Sequence, residues 1–492
     1  MENQTGIGNQ SEIIFKHKIL DNVHGFIDYT DAEEKIIEML LFKRMQSIKQ
    51  LSIVNWIFPG LEHTRYVHSL GVMHICDRIA RQLSLTNYQR RIVRFAGLLH
   101  DIGHYPLSHV GEFPYKKNPE SIDSERFCLH FNENIKNKID TFNIKFDTDF
   151  MTASKGGHHE NIGAILIKNN KEIRDVIEKE CENSEAIDII CDMITGNGER
   201  HETDPLLVQI LHSELDADGI DYMLRDATFS GTSFGSFELD MLIKCMTVFE
   251  EKDGHKLLCI EPKAIAAADQ YLINKFFSYS QIVINKHVCI LEWMAERIVD
   301  WMQKNNTYFP EFDRLMEWIK NKNDNGYREY LSFTDNFFWS SLQNIVDNPA
   351  SKTFPSYIVK LCSLLLTHNE LKYVKNSEYK IISSDPELIK AKLKETNAYK
   401  HLTVNKQQIT LLSTKTISNH IPLELFEQKL LEKENPETAE AEEGNKLHRL
   451  MDGICVYDKE KNDVHLLCDD ERSLMQSLHG KTMVVLRSFE LN

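Results

Sequence analysis

A chain of 492 residues is long enough for one large domain plus a second module, and at 42% hydrophobic it can bury a sizeable core without disulfides. Its formal net charge of −17 disfavours a general binder of nucleic acid, whose phosphates need clustered Lys and Arg, but leaves room for one basic pocket around an anionic small molecule. No run approaches the roughly 20 apolar residues that span a bilayer. The N-terminus "MENQTGIGNQSEIIFKHKIL" lacks a signal peptide's apolar core, and the ten cysteines are scattered without a CxxC pair, so a cytoplasmic protein with its cysteines in the core is expected.

In chain order, apolar residues at three- and four-residue spacing predict helices within 32–51, 68–83, 88–103, 204–227 and 289–303. Short strand-like pieces stand at 53–58, 255–261 and 483–489. This pattern predicts a mainly α protein with small β additions, made of a core over 1–305 and an α+β C-terminal region over 306–492. Residues 113–157 read as a mostly polar insert and 432–446 as a solvated linker. The region after 305 carries no chemistry-bearing motif.

Four stretches place ligand-type residues beside apolar runs: "RYVHSLGV" (65–72), "LLHDIGHYPLSHVGE" (98–112), "HHENIG" (158–163) and "ELDADGIDYMLRDA" (214–227). Arg65 and His68 stand three apart, so a helix or its first turn projects them from one side. Asp218, Tyr222 and Arg225 share a helical face. Imidazoles with carboxylates make a mixed nitrogen–oxygen site suited to Zn, Fe, Mn or Ni, with Mg favoured where oxygen dominates. His68, His100, Asp101 and Asp218 are the expected ligands, a set that leaves positions open as a catalytic metal requires. His104, His109 and His159 remain for phosphate contact or proton transfer. His63, His74 and His158 read as ordinary core or surface residues. Asp216, Asp221 and Asp226 read equally well as helix-surface or capping carboxylates.

In this order the four stretches resemble the signatures of HD-superfamily phosphohydrolases, and among them the deoxynucleoside triphosphate (dNTP) triphosphohydrolases: bacterial dGTPase-like enzymes and their animal antiviral relatives. The likeness runs from "FKRMQSIKQL" (42–51) to "YSQIVINK" (279–286). It implies an HD-type helical core that hydrolyses dNTPs, dGTP among them, to deoxynucleoside and triphosphate, in dNTP-pool control or antiphage defence. It gives the four metal ligands named above, a divalent ion there (Zn, Fe or Mn), and Mg with the triphosphate. Arg65 would grip an α-phosphate oxygen, with His104 on phosphate. His109, backed by Glu112, would protonate the leaving oxygen, with His159 and Glu160 as a second pair. Tyr222 and Asp226 would face sugar and triphosphate, Gln50 and Leu51 would read the 3′-hydroxyl and exclude a 2′-hydroxyl, and Lys286 would neutralise triphosphate. The family also implies a homo-oligomer, tetramer or hexamer, with a nucleotide activator. Two positions depart from the pattern: Gln46 stands where an activator-binding Arg is common, and Val283 where a Tyr stacks on the sugar. Two other readings remain open: a phosphodiesterase or phosphatase for a signalling nucleotide, and a nucleotide sensor without turnover.

Overall fold

The computed structural model describes residues 11–116, 158–198, 201, 203–251, 254–320, 325–348, 354–370, 372–373, 379–383, 404–410, 450, 453–478 and 482–490. Most of the insert expected at 113–157 and all of the linker expected at 432–446 lie outside these residues. The chain opens with an antiparallel hairpin, β1 (His17–Asp21) and β2 (Gly25–Tyr29). The first helix, α1 (Asp31–Ile37), begins at a capping box in which Thr30 and Glu33 satisfy each other's backbone N–H groups.

The helix expected over 32–51 is broken. After α1 come a single turn, α2 (Leu40–Lys43), and a 3-10 turn over Arg44–Ser47. The physical reason is apolar residues on too many sides: Ile36, Ile37, Leu41, Phe42, Met45 and Ile48 are all buried, and a straight helix could not face them all inward. The strand expected at 53–58 is instead a 3-10 turn at Val54–Trp56, closed by local bonds from Val54 N–H to the Leu51 carbonyl and from Trp56 N–H to the Ile53 carbonyl.

Two long helices follow, α3 (Arg65–Gln82) and α4 (Asn87–Leu99), packed side by side, then α5 (His109–Lys116). Beyond the insert run α6 (His158–Asn169), α7 (Lys171–Cys181), α8 (Ala186–Thr195), α9 (Pro205–Leu211) and α10 (Ala217–Ser230). The pattern over 204–227 is thus two helices, parted where Asp216 caps α10 by accepting from Gly219 N–H at 2.6 Å. After α11 (Leu239–Lys244), β3 (Met246–Glu250) and β4 (Lys256–Ile260) form a hairpin. The helices α12 (Ile265–Ser278), α13 (Lys286–Lys304), α14 (Phe312–Lys320), α15 (Asn325–Ser332), α16 (Asp335–Asp347) and α17 (Ser356–Leu366) complete the helical mass.

The C-terminal part contributes β5 (Lys372–Tyr373), β6 (Tyr379–Ser383), β7 (Val404–Thr410), β8 (Cys455–Asp458), β9 (Asp463–Leu466) and β10 (Thr482–Glu490). In one sheet β8 lies parallel to β4 in the order β3-β4-β8-β9; in another, β10 pairs antiparallel with β5, β6 and β7. The architecture is mainly α with small β additions. Across the boundary expected at 305, however, the apolar core is continuous: Met302, Phe309, Leu315, Phe333, Phe338 and Ile358 belong to one buried cluster with Phe42, Phe95 and Ile102. No helix among the described residues is long and apolar enough to cross a membrane.

Candidate metal centre

Three helix ends converge on one point. α3 begins at Arg65 and carries His68 in its first turn; α4 ends at Leu99 with His100 as its cap and Asp101 next; α10 presents Asp218 just after its N-cap. α3 and α10 approach closely because Gly71 has no side chain: a Cβ there would stand 1.9 Å from Asp221 Oδ1.

His68 Nε2 lies 2.9 Å from Asp218 Oδ1 and 3.8 Å from Asp101 Oδ2, and His100 Nε2 lies 3.5 Å from Asp101 Oδ1 and 3.9 Å from Asp218 Oδ1. Both rings have their other nitrogen engaged, His68 Nδ1 with Asp221 Oδ2 at 2.7 Å and His100 Nδ1 with the Gly97 carbonyl at 2.8 Å. The two Nε2 atoms are buried and make no well-aligned hydrogen bond. Two oriented imidazole nitrogens facing two carboxylates fit a divalent cation, and the donor set matches the borderline transition metals. Electrostatics agree. Burial works against protonating His68, yet Asp218 and Asp221 raise it to about 9, so this spot favours positive charge even without an ion. Burial would likewise raise Asp101, but Arg65, His100 and His104 hold it well below the usual carboxylate range.

Asp221, read from sequence as a surface or capping carboxylate, is instead fully buried behind this centre. It accepts from His68 Nδ1 and Arg225 Nε at 2.7 and 2.9 Å and lies 2.6 Å from His24 Nε2. Arg225 also reaches Asp21 at 2.8 Å, so the β1–β2 hairpin is pinned onto the back of the metal centre through Asp21 and His24. Asp21 and His24 stand in no motif, and His24 lies 197 positions from Asp221, so sequence reasoning could not join them. Loss of such a ligand-orienting carboxylate typically costs about 10- to 100-fold in metal affinity. Asp221→Asn, which keeps the volume, is therefore expected to weaken metal binding by about that factor while His68 remains; chelator competition reads it, and an unchanged affinity contradicts an orienting role.

Beside the centre stands a row of imidazoles. His104 Nε2 is 3.3 Å from Asp101 Oδ1, and its ring stacks on His159 with centroids 3.8 Å apart. Burial, with Arg65 and His159 alongside, holds His104 well below the usual histidine range, so its ring is neutral. Glu112, wholly buried, serves two rings: Oε2 meets His109 Nδ1 at 3.0 Å and Oε1 meets His159 Nδ1 at 2.9 Å, with His159 N–H at 2.8 Å. The expected pairing of His159 with Glu160 is thus replaced by pairing with Glu112; Glu160 lies 3.6 Å from His212 Nε2. Burial opposes charge on His159, but Glu112 outweighs it and raises the ring. His109 sits just after Leu107 and Ser108, whose φ angles of 58° and 52° lie in the left-handed region. Each such residue costs on the order of 1 kcal/mol or more, so surrounding bonds must hold this turn.

Arg65 bridges the two groups, donating to Asp101 Oδ2 at 2.8 Å, Ser108 Oγ at 3.0 Å and the Gln50 carbonyl at 3.3 Å. Gln50 is buried with its side-chain oxygen unpartnered, and Leu51 packs with Val54, Ile282 and Phe229. Asp226 is buried and faces His63 at 3.1 Å. Tyr222 stands beside Tyr279, one turn before Val283, with ring centroids 6.5 Å apart. Lys286 is exposed in the first turn of α13. The cation within the tyrosine wall is Lys275 on α12, which reaches Glu214 at 3.4 Å and lies over the Tyr271 ring at 5.8 Å. No sequence signal marks it, since one lysine on an apolar helix looks like a surface residue.

Residues 65–223 match the HD domain family. The chain is 28% identical over 311 residues to an uncharacterized protein of Mycoplasma pneumoniae, covering 62% of this chain and 64% of that one. It is 39% identical over 111 residues to the bovine deoxynucleoside triphosphate triphosphohydrolase SAMHD1, covering 21% and 19%. The chain spans about half to two thirds of the length of the curated relatives that it matches over long stretches. A phosphohydrolase structure from Bacteroides thetaiotaomicron superposes with a TM-score of 0.60 at 18% identity, covering 96% of this chain and 99% of that one, which is a likeness of fold. Residues 65–223 thus carry an HD domain, and the chain is similar to HD-superfamily phosphohydrolases, dNTP triphosphohydrolases among them.

Proposed function

We propose that the chain hydrolyses deoxynucleoside triphosphates at the α-phosphorus, releasing deoxynucleoside and triphosphate, with dGTP among its substrates. The observation that carries this reading is the side-by-side placement of a cation-ready His68, His100 and Asp101 group, with Asp218 against both rings, and an imidazole row on one carboxylate, with Arg65 between them. A divalent ion held by the four ligands would supply Lewis-acid polarisation of the attacked phosphate.

The chain's own residues do the rest. Arg65 shares its guanidinium between Asp101 and an α-phosphate oxygen, fixing phosphorus beside the ligands. His104, whose buried ring nitrogens make no well-aligned hydrogen bond, donates to another phosphate oxygen. Water supplies the new oxygen on the α-phosphorus, and His109 gives its proton to the 5′-oxygen as that oxygen's bond to phosphorus breaks, while Glu112 stabilises the His109 ring and His159 beside it. Lys275 and Lys286 meet the outgoing triphosphate. Tyr222, Asp226 and Gln50 face the sugar, and Leu51 closes the side where a 2′-hydroxyl would sit. The active form in this reading is a homo-oligomer responsive to a nucleotide.

Incubation with each dNTP and rNTP, with Mg, Mn or Co added, is expected to give tripolyphosphate from dNTPs. A buried hydroxyl without a partner costs about 1–3 kcal/mol, so dGTP should exceed GTP in kcat/KM by roughly tenfold to a hundredfold. Val283→Tyr should widen that gap by closing the sugar's other side. A wild type that prefers GTP, or that releases only inorganic phosphate, overturns the reading and favours a signalling nucleotide.

A further inference from the structure

Asp335 opens α16, in the part of the chain whose sequence carries no motif. Its carboxylate is 6% exposed and its two oxygens reach two separate loops: Oδ1 accepts from Leu107 N–H at 2.7 Å and Oδ2 from Lys49 N–H at 2.9 Å. Lys49 directly precedes Gln50 and Leu51; Leu107 is the first of the two left-handed residues that precede His109. The loops also touch each other, since Ser108 Oγ donates to the Lys49 carbonyl at 2.7 Å while accepting from Arg65 Nε at 3.0 Å. Arg44 fastens the other flank, donating to the carbonyls of His104 at 2.8 Å, Phe333 at 2.6 Å and Tyr330 at 3.0 Å.

The residue type is informative. Two N–H groups from different segments need two acceptor oxygens and no donor, which only a carboxylate offers; asparagine would turn its NH₂ against one of them. The arrangement is costly. Burial pushes Asp335 up to about 6, only partly offset by the two N–H bonds and by the charges of Lys49 and Arg44 that face it. Anchoring α16 does not require that cost, because Phe338, Leu342 and Ile345 already bury the helix.

We propose that Asp335 is a positioning residue for hydrolysis: it holds the Lys49–Leu51 and Leu107–His109 loops in one frame, so that the sugar-facing and proton-donating groups meet the same substrate. This rests on the reading of those loops as parts of the hydrolytic site.

The test uses the full chain carrying Asp335→Asn, with Ile345→Val as a control that loosens α16 without touching either loop. Misplacement of reacting groups by about 1 Å can cost around 10²-fold, so Asp335→Asn is expected to lower kcat by between tenfold and a hundredfold with metal content unchanged. Amide hydrogen exchange at Lys49 and Leu107 should quicken in Asp335→Asn, whereas Ile345→Val should leave kcat and both amides near wild type. Retention of kcat within twofold by Asp335→Asn, or an equal loss in Ile345→Val, overturns the proposal. The exchange arm is independent of substrate: if wild type turns over no nucleotide, the function reading fails, and unaltered protection at both amides then also overturns the positioning of the loops.

Discussion

Asp101→Ala and His100→Ala are both expected to lose the bound metal and, with it, activity by about 10³-fold or more, since a Lewis-acid ion contributes several kcal/mol to the transition state. Their stabilities should differ. Among the described residues, the well-aligned hydrogen bond of the His100 ring goes from Nδ1 to the Gly97 carbonyl of its own helix, so its removal frees one acceptor at a helix end. Asp101 is the buried counterion of Arg65 at 2.8 Å, and removing one partner of a buried pair costs about 3–5 kcal/mol. Elemental analysis alongside thermal unfolding of the metal-free proteins should therefore show metal loss in both variants and a large drop in Tm only for Asp101→Ala. Full metal occupancy with unchanged turnover in His100→Ala would remove the four-ligand assignment.

The second large effect belongs to the shared carboxylate. His109→Ala should keep metal and substrate affinity while losing about 10²–10⁴-fold in kcat, because only the transition state needs its proton. Glu112→Gln should cost at least as much. An amide offers one oxygen to two Nδ1 atoms, 3.0 and 2.9 Å from the present carboxylate, so its NH₂ must face one ring or the other. The double variant His109→Ala with Glu112→Gln should be far from additive, as expected for groups acting as a unit. Steady-state kinetics with metal content measured in parallel decides this; loss of metal in His109→Ala would make His109 a ligand instead.

What could be read from the chain, and what could not, divides by distance along it. His68 begins one apolar pattern and His100 and Asp101 end another, so periodicity puts them near helix termini, whereas Asp218 lies inside the pattern over 204–227 and reaches a helix start only through the break at Asp216. Helix type and the mainly α class followed from the same spacing. The supporting residues gave no such signal. His24, Asp21 and Asp221 meet across the fold, and which of the three aspartates of α10 is buried behind the ligands does not show in the sequence. The break after Ile37 was invisible because periodicity cannot say that Ile36, Leu41 and Met45 must face different neighbours. The misread strand at 53–58 has the right residue types, but its backbone bonds close locally, a matter of context rather than propensity. Lys275 and Lys286 look alike in sequence, because the burial that distinguishes them is a tertiary property.

The link that Arg44 and Asp335 make between residues 44–107 and the helices after 305 also bears on how this protein can be inherited. Two of the three carbonyls that hold Arg44 belong to Tyr330 and Phe333, and Tyr115 donates to the Pro310 carbonyl at 2.7 Å. A chain ending near residue 305 would strip a buried guanidinium of most of its acceptors and remove the Phe333 ring that packs on Tyr105. The HD segment therefore cannot travel alone as a portable module. Gene fusions and domain exchanges that keep activity should join new sequence beyond the helices, after about residue 370, and the 306–366 helices should accompany the HD segment through any such rearrangement.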